Sequence, residues 1–210
     1  MEIYEQIADA IYKGKHQDVR QLVEQCLNEG KSASDVLTNG LVAGMGKVGC
    51  DFKENVIFIP EVLIAAKAMK AGMEVLRPKL VETGVQPVAK AVIGTVAGDL
   101  HDIGKNLVSM MLEGAGFEVI DIGVDCSEEK YINAVKEHQA QLVGLSAMLT
   151  TTMTAMQRII KAIDASGIRG QIKIMVGGAP LSQKYADEIG ADAYAPDAAS
   201  AVEKAKELVA

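Results

Sequence analysis

The residue types best suited to chemistry lie in one short glycine-containing segment, residues 98–106, which reads Gly-Asp-Leu-His-Asp-Ile-Gly-Lys-Asn. Within it, Asp99 and His101 stand two residues apart. A histidine that binds a metal through one ring nitrogen usually donates the N–H of the other to a carboxylate, which fixes the tautomer and the ring orientation. The spacing therefore indicates a single imidazole ligand oriented by Asp99. The alternative is an ordinary loop in which both side chains bond to the backbone.

The small number of histidines limits the kind of metal site that this chain can form. The sequence contains 3 histidines. His16 falls in a predicted interhelical turn and His138 at the end of a predicted polar helix, where we expect both on the surface. A closed zinc site needs a full set of histidine, cysteine or carboxylate ligands, and no cysteine lies near His101 in the predicted crevice. A metal that is already held by an organic macrocycle, by contrast, needs only one protein ligand.

Two common phosphate-binding loops do not fit the same segment. A Walker loop places its second glycine five positions after the first, whereas Gly98 and Gly104 are six positions apart. It also follows Gly-Lys with serine or threonine, whereas Asn106 follows Lys105. The fingerprint GxGxxG needs two glycines two positions apart, and Gly94 lies four positions before Gly98. The sequence thus gives little support to a nucleotide cofactor.

The segment follows the first of five short β-branched, apolar runs, which alternate with amphipathic stretches. The predicted strands are residues 89–96, 118–122, 142–146, 172–176 and 193–195, and the predicted helices are near residues 104–115, 127–138, 152–166, 182–189 and 198–209. Parallel strands need crossover connections, and these are right-handed. The pattern therefore predicts a flavodoxin-like or Rossmann-like, doubly wound parallel sheet of five strands in the order 2-1-3-4-5.

The loops after the strands are the expected place for a ligand, since open parallel sheets bind ligands beyond the carboxyl ends of their strands. In the order 2-1-3-4-5, the first, third and fourth strands are neighbours. The loops that follow them contain residues 94–106, 146–152 and 177–180. We expect these loops to converge on one crevice that holds the functional residues.

The first part of the chain has a different periodicity. Up to about Leu80, the apolar residues recur at helical spacing in four stretches, which predicts a four-helix bundle cap. A polar linker with glycine and proline follows. The sequence therefore predicts an α + α/β protein with a bundle cap (1–83), a linker (84–88) and an α/β domain (89–210).

The third predicted helix contains closely spaced glycines, which cost about 1 kcal/mol each relative to alanine in a helix interior. They indicate close approach either to a neighbouring helix or to a broad, flat ligand. These glycines are Gly40, Gly44, Gly46 and Gly49.

Composition and charge exclude several classes of partner. The 210 residues are 49% hydrophobic and 23% charged, as in a folded globular chain. The net charge is −7 and aromatic residues make up 4%, with no tryptophan, so the basic surface and stacking platforms of a nucleic-acid-binding protein are not expected. No apolar run approaches the roughly 18 residues that cross a bilayer. We expect a cytoplasmic protein that binds neither nucleic acid nor membrane.

The spacing of the chemical residues resembles that of a known family. The pattern consists, in chain order, of Asp99-x-His101-x-x-Gly104, Ser146-x-Met148 and Gly177-Gly178, with 41 and then 28 residues between the parts. It resembles the cobalamin-binding signature DxHxxG…SxL…GG. Met148 stands where leucine is usual, an apolar exchange of similar volume that should preserve the contact.

The resemblance extends into the predicted bundle. Three stretches carry it: Gly-Met-x-x-Val-Gly-x-x-Phe at residues 44–52, Phe-x-Pro-Glu at 58–61 and Ala-Ala-x-Ala-Met at 65–69. They are similar to the helical cap domain of the corrinoid proteins that serve methanol, methylamine and methoxyaromatic methyltransferases. Cobalamin-dependent methionine synthase shares this two-domain unit within a far longer chain.

The resemblance implies a cobalamin or related corrinoid bound base-off/His-on, with its own lower base displaced and His101 as the axial ligand of cobalt. Asp99 would orient His101, and Ser146 would extend this relay by hydrogen-bonding to Asp99. Glycines would let the backbone approach the nucleotide tail, although a helix start and a tight turn also explain them. The implied cofactor-binding residues are Gly98, Asp99, His101, Asp102, Ile103, Gly104, Ser146, Met148, Thr150, Gly177, Gly178, Tyr194 and Asp197.

By the same resemblance, the chain would be the non-catalytic corrinoid subunit of a multi-component methyltransferase. It would accept a methyl group on cobalt(I) from a substrate-specific methyltransferase and pass it to a second methyltransferase, with a reductive activation protein as a further partner. A corrinoid-sensing or storage protein without methyl transfer is the alternative. A phosphoryl-accepting receiver domain would share the sheet order but needs an acidic residue at the end of the third strand, where Ser146 stands.

Overall fold

The computed structural model describes residues 2–210. The chain divides into two compact units. One comprises Met1–Pro87 together with Gly114–Gly116, and the other comprises Val88–Glu113 together with Phe117–Ala210. We call them the helical unit and the α/β unit. Within residues 2–210, no helix is long and apolar enough to span a bilayer.

Four helical stretches make up the helical unit between residues 2 and 87. They are α1 (Ile3–Tyr12), α2 (His16–Asn28), the continuous run of α3 (Ala33–Asp35), a π-helix (Val36–Val42) and α4 (Ala43–Lys53), and finally α5 (Ile59–Glu82). Each stretch buries an apolar stripe, as its spacing predicts; Ile7 and Leu76 are fully buried examples. Helix α5 begins where the sequence favours it, because Pro60 lies in its first turn and Oε2 of Glu61 accepts a hydrogen bond from the backbone N–H of Phe58 at 3.0 Å.

Packing between helices accounts for two of the glycines in the third helical stretch. A Cβ added to Gly44 would lie 3.0 Å from Cα of Ala8 in α1. One added to Gly40 would lie 3.2 Å from Cγ2 of Ile7 in the same helix. Of the two expected explanations, close approach of a neighbouring helix therefore holds for these two positions. Nothing lies within 4 Å of a Cβ added to Gly46.

A parallel sheet of five strands forms the centre of the α/β unit within the described residues. The sheet has the order β2-β1-β3-β4-β5, with β1 (Lys90–Thr95), β2 (Glu118–Asp121), β3 (Leu142–Ser146), β4 (Lys173–Gly177) and β5 (Ala193–Ala195). The predicted fold class and strand order are confirmed. The register pairs Thr95 with Ser146 and Ser146 with Gly177, so the last residues of three neighbouring strands lie side by side at the carboxyl edge.

Helices connect and follow the strands. They are α6 (Ile103–Gly114), α7 (Glu128–His138), α8 (Met153–Ala165), a short 3₁₀ turn (Arg169–Gln171), α9 (Gln183–Ile189) and α10 (Ala198–Val209). One apolar cluster joins α7, α8 and α9 to the central strands, and it includes the fully buried Val92, Val143 and Ile159. Burial of each such side chain contributes about 1.5–3 kcal/mol. This core fixes the strand ends from which the loops of the carboxyl edge begin.

Candidate functional site

The carboxyl edge of β1, β3 and β4 brings together the loops that the strand order placed there. The backbone N–H of Val96 donates to the carbonyl oxygen of Ser146 at 3.0 Å, and that of Ala147 donates to the carbonyl oxygen of Gly177 at 3.3 Å. The loop after β1 therefore starts beside the end of β3, and the loop after β3 starts beside the end of β4. The three loops share one edge of the α/β unit.

Asp99 is fully buried in this edge. Its Oδ1 accepts hydrogen bonds from Nδ1 and from the backbone N–H of His101, at 2.8 and 3.0 Å. Its Oδ2 accepts hydrogen bonds from Oγ1 of Thr152 at 2.7 Å and from the backbone N–H of Met148 at 2.8 Å. Burial alone raises the pKa of Asp99, but these hydrogen bonds outweigh it and hold the pKa well below its ordinary value. Asp99 is therefore a carboxylate at neutral pH, and it can only accept hydrogen bonds.

The charge on Asp99 decides the tautomer of His101. Since a carboxylate only accepts, Nδ1 must carry the proton in this contact, which leaves Nε2 of the neutral ring with a lone pair. The side chain of His101 is 55% exposed. Among residues 2–210, the ring hydrogen-bonds to Asp99 alone. The site therefore presents one oriented imidazole nitrogen that is free to bind a metal.

The relay to Asp99 needs a correction. The resemblance assigned it to Ser146, but within residues 2–210 the hydroxyl group that donates to Asp99 belongs to Thr152. Ser146 ends β3, where its carbonyl group is part of the ladder with β1, whereas the turn that follows β3 wraps over Asp99. Thr152 is buried in this turn, while Thr150 and Thr151 are exposed. A run of three threonines gives no signal to choose between them before the fold is known.

Four exposed apolar side chains belong to the loops that carry His101 and bind Asp99. Leu100 and Ile103, the neighbours of His101 in the loop, are 71% and 77% exposed. Met148 and Leu149, whose backbone N–H groups bond to the buried carboxylate, are 49% and 43% exposed. We call these four side chains the apolar rim. Proteins rarely leave several large apolar side chains together in water unless a partner covers them, so the rim suits a ligand with a broad apolar face.

Some glycines of the site are required by the fold of the protein itself, whereas one is not. Gly178 has a φ of +139°, and a Cβ there would lie 1.9 Å from the carbonyl oxygen of Ala147, so the fold itself excludes a side chain. Gly98, with a φ of +84°, and Gly177, where a Cβ would meet a carbonyl oxygen at 3.2 Å, are also explained by the fold. Gly104 is different, because nothing lies within 4 Å of a Cβ added there. The protein alone gives no reason for glycine at this position, whereas a ligand lying over this turn would.

The other predicted residues make local contacts. Oδ2 of Asp102 accepts a hydrogen bond from Nδ2 of Asn106 at 3.0 Å. Oδ1 of Asp197 accepts one from the backbone N–H three residues on at 2.8 Å, which caps α10. Tyr194 is half-buried in β5, and Thr150 is exposed. Tyr194 in β5 and Asp197 at the start of α10 thus lie outside the hydrogen-bonded group around the buried carboxylate.

A buried lysine anchors the start of α6. Lys105 is 3% exposed, and its Nζ donates hydrogen bonds to Oδ2 of Asp121 and to Oδ1 of Asn106. The contact ties α6, which begins two residues after His101, to the end of β2. The spacing of Lys105 in the sequence suggests only a comparison with a phosphate loop, because its partner in β2 is known only once the strands are paired.

Comparison with known proteins agrees with this geometry. Two protein-family models, each described as a B12 binding domain, match residues 89–205 and residues 3–77. A dimethylamine corrinoid protein of Methanosarcina barkeri is 44% identical over 210 residues, which cover 100% of this chain and 98% of that protein. The chain therefore belongs to the family of B12-binding corrinoid proteins, and the resemblance drawn from the sequence is confirmed.

Solved structures show the same likeness. The crystal structure of the methanol:cobalamin methyltransferase complex MtaBC from Methanosarcina barkeri matches with a TM-score of 0.88 and 30% identity, covering 99% of this chain and 80% of that chain. A cobalamin-binding protein from Desulfitobacterium hafniense DCB-2 matches with a TM-score of 0.81 and 31% identity, covering 99% of this chain and 98% of that chain. The similarity therefore includes the residues of the helical unit as well as those of the α/β unit.

Proposed function

We propose that the protein is a methyl-carrying corrinoid protein. It binds cobalamin or a related corrinoid base-off/His-on, receives a methyl group from a substrate-specific methyltransferase and passes it to a second methyltransferase. The observation that carries the proposal is the single imidazole of His101, oriented by a buried carboxylate on an edge of the sheet that also carries the exposed apolar rim.

The relatives support the partners of this cycle. The dimethylamine corrinoid protein supports a methylated amine as the methyl source, and the MtaBC complex supports a methyltransferase as the donor-side partner. The third partner in the proposed cycle is a reductive activation protein. All cysteines in the chain are free, as in a reducing compartment, and we place the cycle in the cytoplasm.

The donor set fits a metal that brings its own equatorial ligands. Within residues 2–210, no group of three or more histidine, cysteine, aspartate or glutamate side chains comes together to hold a metal ion. A bare ion would therefore find too few ligands beside His101, whereas a corrin ring supplies its own nitrogens and leaves an axial position. The apolar rim suits the face of such a ring, and the open space at Gly104 suits its tail.

The cobalt corrin supplies the metal-centred nucleophile and carries the methyl group. The residues of this chain hold and tune its axial ligand. Asp99 keeps a proton on Nδ1 of His101, which leaves Nε2 as the donor atom. The hydrogen bond of 2.8 Å between Nδ1 and Oδ1 of Asp99 would keep the ring in this orientation whether or not Nε2 holds the metal. Thr152 and the backbone N–H of Met148 keep Asp99 in place throughout.

Electron paramagnetic resonance of the cobalt(II) form tests the axial ligand. Protein loaded with hydroxocobalamin and then reduced should show nitrogen splitting that changes when the protein, but not the corrinoid, is labelled with ¹⁵N. His101→Ala should lose this splitting, whereas His138→Ala, which changes a histidine at the end of α7, should keep it. Splitting that survives in His101→Ala and still changes when the protein is labelled with ¹⁵N, or a protein that stays colourless with added corrinoid, would contradict the proposal.

A second experiment separates the methyl carrier from a sensing or storage protein. The loaded, reduced protein is incubated with a methylamine methyltransferase and an amine labelled in its methyl group. A carrier should acquire the label on its corrinoid and lose it when a second methyltransferase and its acceptor are added. A protein that binds the corrinoid tightly but gains no label from methylated amines or methanol, each with its own methyltransferase, would be the sensing or storage protein instead.

A further inference from the structure

Thr95 and Asp125 hold the backbone of the His101 turn from two sides. Thr95, the last residue of β1, is fully buried, and its Oγ1 donates a hydrogen bond to the carbonyl oxygen of His101 at 3.0 Å. Asp125 lies in the turn after β2, and its Oδ1 accepts a hydrogen bond from the backbone N–H of Gly98 at 2.7 Å. The backbone N–H of Asp125 donates to the carbonyl oxygen of Asp99 at 3.1 Å.

These contacts fix the point from which the imidazole projects. The backbone N–H of His101 donates to Oδ1 of Asp99 at 3.0 Å, while its carbonyl oxygen accepts from Thr95. Both backbone polar groups of His101 are therefore bound to buried side chains. The ring is joined to this backbone only through χ1 and χ2, and its Nδ1 is already bonded to Asp99. Fixing the backbone thus leaves Nε2 little freedom of position.

The conformation of Asp125 fits the same role. Its φ is +49°, a region that is costly for a residue with a Cβ but better tolerated by aspartate and asparagine than by other residues. Glycine would remove the cost, yet it would also remove the carboxylate that bonds to Gly98. The side chain is therefore what the turn gains from aspartate at this position, since the backbone N–H that donates to Asp99 is present in every residue except proline.

We propose that Thr95 and Asp125 are positioning residues for the axial ligand. They hold the His101 turn in one geometry whether or not Nε2 is engaged, so that the imidazole meets the metal at the same place each time it binds. This inference rests on the proposed function, because it assigns these residues a role toward the bound corrinoid. Without them, the exposed ring would sample several positions and water would compete for the axial site.

Two substitutions of Thr95 form a matched test. Thr95→Val keeps the branched shape but removes the hydroxyl, whereas Thr95→Ser keeps the hydroxyl. In the corrinoid-free protein, amide hydrogen exchange of residues 98–103 should become about five- to tenfold faster in Thr95→Val and stay within about twofold of wild type in Thr95→Ser. Exchange in α8 should not change, which shows that the fold is intact. In the loaded protein, the fraction of cobalt(II) with imidazole splitting should fall several-fold in Thr95→Val and recover in Thr95→Ser.

Asp125 gives a second pair that remains informative if Thr95→Val does not fold. Asp125→Ala removes the acceptor for Gly98, whereas Asp125→Asn keeps an acceptor oxygen and tolerates the positive φ. We expect faster exchange of the Gly98 amide and less imidazole splitting in Asp125→Ala, with values near wild type in Asp125→Asn.

The outcomes separate the inference from the proposed function. Wild-type protein that shows no splitting dependent on His101 would overturn the proposed axial ligation and the inference with it. A wild type that shows the splitting, with Thr95→Val and Asp125→Ala unchanged in splitting, would overturn the inference alone, even if exchange in the turn were faster. Loss of splitting in both variants, with recovery in Thr95→Ser and Asp125→Asn, would support it.

Discussion

Asp99 is held by partners that a two-residue motif does not reveal, and one of them, Thr152, lies 53 positions along the chain. Thr152→Val keeps the branched shape and removes the hydroxyl that donates to Oδ2 at 2.7 Å. We expect the free energy of unfolding to fall by about 2 kcal/mol, because a hydrogen bond to a buried charge is lost. Thr152→Ser should lose much less. Urea unfolding measures the difference, and equal losses in the two variants would show that the hydroxyl does not matter.

The low pKa of Asp99 makes a pH-dependent contribution to stability. An aspartate in the unfolded chain titrates at about pH 3.9, and the folded pKa is lower. The contribution is therefore complete above about pH 4 and is lost as the pH falls below that value. Because Asp99→Asn cannot titrate, wild type should exceed it in free energy of unfolding by about 2 kcal/mol at pH 7 and by less at about pH 3. Urea unfolding at the two pH values provides the measurement, and a constant difference would contradict the expectation.

Whether a contact in the site could be predicted from the sequence depends on how far apart its two residues lie along the chain. Asp99 and His101 could be paired from the sequence, because two residues in one short turn are close in almost any fold. Thr152 could not be chosen from its neighbours, because its contact depends on how the turn after β3 lies over the loop after β1. Asp125 could not be found for the same reason, since its partner Gly98 is 27 positions away and reached only through the pairing of β1 with β2.

At the scale of elements, alanine substitutions at two glycines distinguish a glycine that the fold requires from one that we expect the ligand to require. Gly178→Ala should destabilise the protein by about 3 kcal/mol or more, because its Cβ would lie 1.9 Å from a backbone oxygen at a φ of +139°. Gly104→Ala should leave stability unchanged or raise it by up to about 1 kcal/mol, since the new Cβ enters open space in a helix. Urea unfolding measures both effects.

The same alanine at position 104 should weaken corrinoid binding, because the open space there is where we expect the tail. Spectrophotometric titration of Gly104→Ala with hydroxocobalamin measures the affinity, with wild type as the reference. Full stability together with lost affinity would assign this glycine to the ligand. An affinity equal to that of wild type would show that the tail lies elsewhere.

The strands were easier to predict than the third helical stretch. β3 was predicted at its observed bounds and β1 within one residue at each end, because central strands buried on both faces leave continuous apolar runs in the sequence. The short edge strand β5 was also predicted at its observed bounds. The third stretch was predicted as one regular helix, whereas it contains a π-helix at Val36–Val42. A π-helix joins residues five apart by hydrogen bonds, where an α-helix joins residues four apart, and apolar spacing does not show this change. Within the π-helix, a Cβ added to Gly40 would lie 3.2 Å from Cγ2 of Ile7 in α1.

At the scale of the whole molecule, the apolar core of the α/β unit is formed by residues between Val92 and Tyr194. Every group that orients His101 also lies in this unit. A fragment that begins at Val88 should therefore fold alone, and it also tests the predicted linker at 84–88. We expect it to unfold cooperatively and, once loaded with hydroxocobalamin, to show the same imidazole splitting as the full chain. An unfolded or colourless fragment would contradict this expectation, whereas a folded fragment with lower affinity would measure what the helical unit contributes to corrinoid binding.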